Sequence, residues 1–504
     1  MGVLSSVALS ATGTVAASAT TSASWSTSML QILAGVLVRA EWLVLLYFLA
    51  VNGWYVVLLV SAALELRHHA LLVAGESRWR LIGSAMSPTV SIVAPAYNES
   101  ATVVESLRAL LALHYARLEV VVVNDGSSDA TLDVLREAFD LVEVHAVFEQ
   151  VIATRAVRAL YRSRSYPGLV VVDKENGGKA DALNTGLNFA QGELVCALDA
   201  DTLIEADGIQ RLVRPFLHAP RTIASGGTIR IVNGSEVWQG RVTRTRVPPN
   251  PLAGMQVVEY LRAFLFGRLG WNRLGGNLII SGAFGLFRRE AILRAGGYRH
   301  DTVGEDMELV VRLKRLSYER GEPGDIAFVP DPVAWTEAPE NLRTLGRQRD
   351  RWQRGLADVL WRHRAMFLNP RYGVTGMVVI PYYVLVELLA PVVEALGLLG
   401  LVLGLLFGMV NWSMAALFYL TAYGLGTAFT AFTLVLEDVS FHRYTTPRDR
   451  FMLLGWMLLE NLGYRQLTVW WRLRGLWKYL RGRKDWGAME RRGFLPGAPR
   501  APAT

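Results

Sequence analysis

Cysteine occurs once in 504 residues, at Cys196, which excludes a disulfide scaffold within the chain. Charge is sparse too: charged residues make up 19%, against roughly 25% in an average soluble domain, while hydrophobic residues reach 52%. Neither the 46 glycines nor the 19 prolines are periodic, so a collagen-like chain is excluded, and the apolar content excludes a disordered one. The formal charge of +8 is not spread along the chain. Residues 441–504 hold 13 Lys and Arg against 4 Asp and Glu, a net of +9, which leaves the preceding 440 residues at −1. Without a helix-turn-helix, zinc or RNP pattern beside it, this local excess does not point to nucleic acid. It reads instead as a cytoplasmic membrane anchor.

The apolar residues are concentrated as well. Residues 1–28 are mostly Ser, Ala, Thr and Gly and read as a disordered lead. Residues 29–66 form an apolar stretch whose part Trp42–Leu64 is uncharged and long enough to span hydrocarbon. Arg67, His68, His69, Arg78 and Arg80 then place that flank on the cytoplasmic side. Residues 371–470 form a second apolar region of transmembrane and interface helices, with spans expected near Val379–Val410 and Met414–Leu436. Phe451–Trp470 carries Glu460, Asn461 and Arg465, which suits either a span lining a polar path or an interfacial helix. Three to five spans are expected in all, with residues 471–504 as a basic cytoplasmic tail. The expected location is the plasma membrane, multi-pass, with the soluble part inside the cell.

Between these regions, residues 87–368 have the composition of a soluble domain. VSIVAPAYN (90–98), LEVVVVNDGSSDAT (118–131), GLVVVDKENGGKADALN (168–184) and ELVCALDADT (193–202) are continuous apolar runs, each ending in polar residues and followed by helical spacing. Such alternation predicts an α/β domain with a mostly parallel sheet covered on both faces. Ligands of such sheets bind beyond the carboxyl ends of the strands, where Glu99, Asp125, Lys174 and Asp199 collect. Asp199 and Asp201 stand two residues apart after a strand, an oxygen-only pair suited to Mg²⁺ or Mn²⁺ on a diphosphate, or else to capping the next helix. Asp125 could accept from a base or ribose, with Ser127 or Ser128 capping the following helix. Lys179, in NGGKADALN, either meets a phosphate or base or marks a plain loop–helix junction; the sequence is not a Walker A loop. Cys196 faces the core.

Together these motifs resemble membrane-integrated family 2 glycosyltransferases such as cellulose, hyaluronan and poly-N-acetylglucosamine synthases. The resemblance covers about residues 88–360 and carries further motifs. It implies a GT-A-type nucleotide-diphospho-sugar transferase fold, with Asp125 on the uridine of a UDP-sugar and Asp199 and Asp201 on the metal. Glu305-Asp306 in VGEDMEL matches the acidic pair that supplies the general base, the role falling on Asp306. Gln348 to Trp352, QRDRW, matches Q-x-x-R-W, which implies Arg351 near the diphosphate and Trp352, with Gln348, near the acceptor sugar.

The residue chemistry agrees. An inverting transfer needs one carboxylate to deprotonate the acceptor hydroxyl, and Asp306 precedes a helical run whose free amides favour the ionised form. Ser281 and Gly282 in SGAFGLFRRE permit close backbone approach to a sugar. Trp335-Thr336-Glu337 is a further acceptor-side candidate. The expected reaction moves a hexose or N-acetylhexosamine from a UDP-sugar to a growing polysaccharide, processively and coupled to export; the alternative is one transfer to a membrane lipid. N-acetylglucosamine is favoured by the compact layout, similar to the poly-N-acetylglucosamine synthases. With few spans, a channel would call for a second copy or an accessory export subunit. A transporter is disfavoured, because it would leave DxD, ED and QxxRW without purpose.

Overall fold

The computed structural model describes residues 6–74, 87–145, 148–198, 202–238, 240–408, 410 and 412–483. It divides into two compact units, Met1–Trp54 with Ala390–Gly426, and Tyr55–Leu389 with Thr427–Thr504. In the first unit, Phe48 packs edge-on against Phe418 with ring centroids 5.3 Å apart. Buried Asn52 donates to the Phe48 carbonyl at 2.7 Å and the Thr421 carbonyl at 2.9 Å, which satisfies its amide in apolar surroundings.

The second unit is built on a ten-stranded sheet. Its strands are β1 (Val90–Ala96), β2 (Leu118–Asp125), β3 (Leu141–Glu143), β4 (Val157–Ser163), β5 (Leu169–Lys174), β6 (Leu194–Leu198), β7 (Leu203–Ile204), β8 (Thr222–Ile231), β11 (Phe284–Arg288) and β12 (Asp325–Thr336). A separate hairpin joins β9 (Glu236–Trp238) to β10 (Arg241–Arg244). The order in the sheet is β3-β4-β5-β2-β1-β6-β11-β8-β12-β7.

The centre β5-β2-β1-β6 is parallel, as expected from strands apolar on both faces. The sheet as a whole is mixed rather than mostly parallel. β11 runs antiparallel to both of its neighbours, and the β3-β4, β4-β5 and β12-β7 pairings are antiparallel as well. β11 comes after the helical excursion 251–273 and re-enters from the opposite end, a long-range return that local apolar pattern does not encode. The parallel centre nevertheless brings the ends of β1, β2, β5 and β6 to one edge.

Among the helices, those that bear on the site and its supports are α1 (Ser6–Ala74), α2 (Val103–Leu111), α3 (Thr131–Ala138), α4 (Lys179–Phe189), α5 (Glu305–Glu319), α6 (Leu342–Arg362) and α7 (Arg465–Leu480). α1 is helical from Ser6, within the stretch whose composition reads as disordered; its many alanines supply helix propensity that the serines and threonines only partly offset. Among the described residues, three helices are long and apolar enough to cross a membrane: Glu41–Val73, Thr375–Leu406 and Trp412–Ser440. The 451–470 segment is not among them. Its helix breaks at Leu462 and Gly463, and Glu460 is drawn inward to Arg262 at 2.5 and 2.9 Å.

A second inward pair joins the sheet to the third apolar helix. Arg230 on β8 donates to Glu437 at 2.5 Å, and both side chains are at most 3% exposed. Removing one member strands a buried charge. Glu437→Ala is expected to cost about 3–5 kcal/mol, and Arg230→Met with Glu437→Leu to recover most of it. Thermal unfolding of the detergent-solubilised protein checks this; equal midpoints for wild type and Glu437→Ala would refute it.

Candidate active site

The polar ends of β1 and β2 are knitted together by their own loops. Asn98, held at φ 54°, accepts from the Ser128 amide at 2.8 Å, and its own amide donates to Ser127 at 3.0 Å. The Glu99 amide donates to Thr131 at 2.9 Å, and the Glu99 carboxylate accepts from Thr102 at 2.8 Å. Ser127 and Ser128 therefore bind the neighbouring loop instead of capping α3, whose N-cap Ala130 makes no side-chain cap. A cavity opens beside them, lined by Ala96, Glu99, Thr102, Leu198 and Thr202.

Asp125, at the end of β2, is buried. Its carboxylate accepts from Lys174 at 2.7 Å and from the amides of Gly177 and Gly178 at 3.0 and 2.8 Å. Lys174, fully buried, also pairs with Asp181 of α4 at 2.7 Å. One lysine thus fixes the β2 end, the NGG loop and the first turn of α4 in one ionic knot. This knot is not legible in the sequence, where Lys174 is only one more strand-end polar residue. Lys179, at the start of α4, reaches across to Glu305 at 3.2 Å.

Glu305 and Asp306 open α5, and no side chain caps that helix. Gly282 lies directly against the Asp306 carboxylate, and any Cβ there would overlap it. Tyr298 completes the cluster. Its backbone is clamped by Asn184 of α4 through bonds of 2.7 and 2.9 Å, and burial, then the Asp306 carboxylate, push its hydroxyl pKa up. Sequence pattern offers no signal for Tyr298, which comes after an ordinary Gly-Gly turn.

The QRDRW segment lies in α6, which meets the loop before α5 where Gly304 and Gly355 face each other, so close that a Cβ on either would press on the other's main chain. Gln348 is buried, with Oε1 lacking a partner among the described residues. Arg349 donates to Glu259 at 2.6 Å and lies 4.4 Å over the Trp352 ring. Trp352 is 45% exposed and open to a ligand; Arg351 is partly buried. Asp350 is buried and pairs with Arg354 at 2.9 Å and, from α7, with Arg474 at 3.0 Å and Lys478 at 2.7 Å. Arg474 and Lys478, two of the basic residues after position 440, thus brace the motif helix.

Trp335 is likewise corrected. It is 1% exposed and its indole N–H donates to Glu205 at 2.8 Å, so it presents no face to an acceptor. Cys196 is buried, and burial pushes its thiol pKa up. Asp199 and Asp201 lie outside the described residues, and among the described ones no group of three or more His, Cys, Asp or Glu could hold a metal. The residues on either side, Leu198 and Thr202, line the cavity that Glu99 borders.

The chain is similar in sequence and in fold to known glycosyltransferases. The Glycosyl transferase family 2 model matches residues 91–294, and the Glycosyl transferase family group 2 model matches 194–427. The chain is 27% identical over 329 residues to the probable glycosyltransferase YdaM of Bacillus subtilis (strain 168), covering 64% of this chain and 69% of that protein. It is 29% identical over 274 residues to the poly-beta-1,6-N-acetyl-D-glucosamine synthase of Staphylococcus aureus (strain COL), covering 54% of this chain. The match spans 56% of that synthase, little more than half its length. In fold it is similar to the mannosyltransferase PcManGT from Pyrobaculum calidifontis, solved with GDP-Man and Mn²⁺ (TM-score 0.50, 18% identity, 87% of this chain and 99% of that one). The chain belongs to glycosyltransferase family 2.

The Gly282 contact yields a direct test. Gly282→Ala is expected to displace the Asp306 carboxylate and lower turnover about 100-fold, with the thermal midpoint unchanged. Wild-type turnover in Gly282→Ala would show that Asp306 need not lie where it does.

Proposed function

We propose that this chain is an inverting hexosyltransferase that moves a single sugar from a UDP-sugar to the hydroxyl of a membrane-borne, lipid-linked acceptor. The observation that carries this reading is the meeting of Asp306, Lys179 and Glu305 at the Gly282 cradle, beside the α6 helix that presents Arg351 and Trp352. Asp306 takes the proton from the acceptor hydroxyl, whose oxygen then bonds to the anomeric carbon from the face opposite the leaving group. The bond from that carbon to the diphosphate breaks, and its electron pair departs on UDP. The free amides at the start of α5 favour the ionised carboxylate that a base requires. Arg351 serves the departing diphosphate as a guanidinium fork, and Trp352, with Gln348 and Ser281, holds the acceptor.

Glu99 and Asp125 bound the nucleotide side. The Lys174 knot gives Asp125 a fixed orientation, a requirement for reading a base or ribose. Oxygen ligands suit a hard divalent cation, and the buried Thr202 hydroxyl beside the DxD segment has no partner among the described residues. Asp199 and Asp201 would hold Mg²⁺ or Mn²⁺ there, and the cation would neutralise charge on the leaving diphosphate.

Single transfer is supported by the fold shared with the mannosyltransferase over 99% of its length and 87% of this chain. A second reading, processive synthesis of a polysaccharide with export, is supported by the 29% identity to the staphylococcal synthase. The cytoplasmic placement of the catalytic domain at the plasma membrane is supported by the basic flank after the first span.

Purified protein in lipid, given labelled UDP-sugars, is expected to yield a lipid carrying one sugar; a ladder of long chains would overturn single transfer in favour of the polymerase. Asp306→Asn is expected to lower turnover about 10³-fold. Undiminished turnover in that variant would remove Asp306 from the base role.

A further inference from the structure

Four arginines from four separate segments line one cavity away from the Asp306 cradle: Arg221, Arg288, Arg294 and Arg320. Its volume of about 580 Å³ is that of a small-molecule site. It gathers the start of β8, the end of β11, the short helix Arg289–Arg294, the last turn of α5 and the turn that leads into β12. β11 runs antiparallel to β6, so Arg288 stands beside Leu194, whereas Phe284 stands beside Leu198, next to the DxD segment. The cavity therefore lies at the end of the sheet opposite the candidate active site. α5 joins the two places. Asp306 is in its first turn, and Leu316 and Ser317 line the cavity from its last, about 16 Å further along the axis.

Three of the four guanidiniums are oriented by backbone carbonyls. Arg221 donates to the Pro323 carbonyl at 3.0 and 2.8 Å, Arg288 to the Thr222 and Pro220 carbonyls at 2.7 and 2.9 Å, and Arg320 to the Arg294 carbonyl at 3.3 Å. A carbonyl holds a guanidinium without cancelling its charge and leaves it further N–H donors. Arg288 and Arg320 pair with no carboxylate among the described residues, and Arg221 reaches Asp325 only at 4.0 Å. Arg294 is the one closely matched, by Glu290 one turn earlier on its helix. Glu322 is the second acid of the lining, so four guanidiniums face two carboxylates. Gathering like charges costs Coulomb energy that an anionic ligand returns. Arg221 and Arg288 come from strand ends, Arg294 and Arg320 from helix ends, and Ile223, Leu313 and Leu316 add apolar lining.

We propose that this cavity binds a small organic bisphosphate at a site separate from those of donor and acceptor. A guanidinium offers a phosphate parallel donors in a planar fork. Two groups of arginine suit two phosphates, and the apolar lining suits the organic body between them. Guanidiniums already oriented by the backbone lose little freedom when the ligand arrives. The site is independent of whether sugar transfer is single or processive.

The test is calorimetric titration of the full chain in phosphatidylcholine nanodiscs, with the donor site saturated by UDP and Mg²⁺. The probes are fructose 1,6-bisphosphate, adenosine 3′,5′-bisphosphate, inorganic phosphate and an aspartate-rich peptide. At least one bisphosphate is expected to bind with one equivalent per chain and more tightly than inorganic phosphate. Arg288→Gln with Arg320→Gln is expected to weaken that binding about tenfold or more, with UDP affinity at the wild-type value. Glu322→Gln, which removes a carboxylate from the lining, is expected to tighten it about threefold. That variant decides the matter if the double variant also loses UDP affinity: tighter binding supports the site, and unchanged binding overturns it. The proposal is also overturned if neither bisphosphate binds beside UDP, if the double variant binds like wild type, or if the peptide is preferred to both bisphosphates.

Discussion

Gly304 and Gly355 meet backbone to backbone, and no side chain stands between the helix that carries QRDRW and the loop that leads into Asp306. Either glycine replaced by a larger residue would push those elements apart, because the atoms opposite are main chain and cannot swing aside. The consequence is a fixed relation between Asp306 on the first turn of α5 and Arg351 and Trp352 on α6. A second fixed relation comes through Gly282, whose missing Cβ is the space occupied by the Asp306 carboxylate. A third is Lys179 to Glu305, which ties the start of α4 to the start of α5. Preorganised geometry of this kind is where catalytic positioning energy comes from.

The ionic contacts act on the same parts. Lys174 gathers Asp125 and Asp181, so the end of β2 and the NGG loop are held as one. Asp350 gathers Arg354, Arg474 and Lys478, so α7 backs the motif helix from behind, where Gly475 also lets the two backbones approach. Buried ion pairs add little net stability against an apolar alternative, and their use here is to define one arrangement. Arg230 with Glu437 and Arg262 with Glu460 extend the same device to the apolar helices of the second unit.

Much of this is legible in the sequence. β1, β2, β5 and β6 are continuous apolar runs because the sheet centre is covered on both faces, and their polar ends do gather at one edge. What local pattern cannot reveal depends on distant chain segments. The antiparallel entry of β11 is decided by the excursion before it, and the burial of Trp335 by Glu205 more than a hundred residues away. Composition reports charge and not its partner: for Arg474 and Lys478 that partner is Asp350, inside a motif read for its Arg and Trp. Ser127 and Ser128 fail as caps for a related reason: Asn98, from another loop, competes for them.

The central claim is that backbone contact between α6 and the loop before α5 sets the catalytic geometry. Steady-state kinetics of Gly355→Ala test it most directly, with donor affinity measured alongside. The expected result is a kcat lowered about 100-fold with donor affinity unchanged within about twofold, since the donor side is held by the Lys174 knot and not by this contact. A Gly355→Ala enzyme with wild-type kcat would contradict the account.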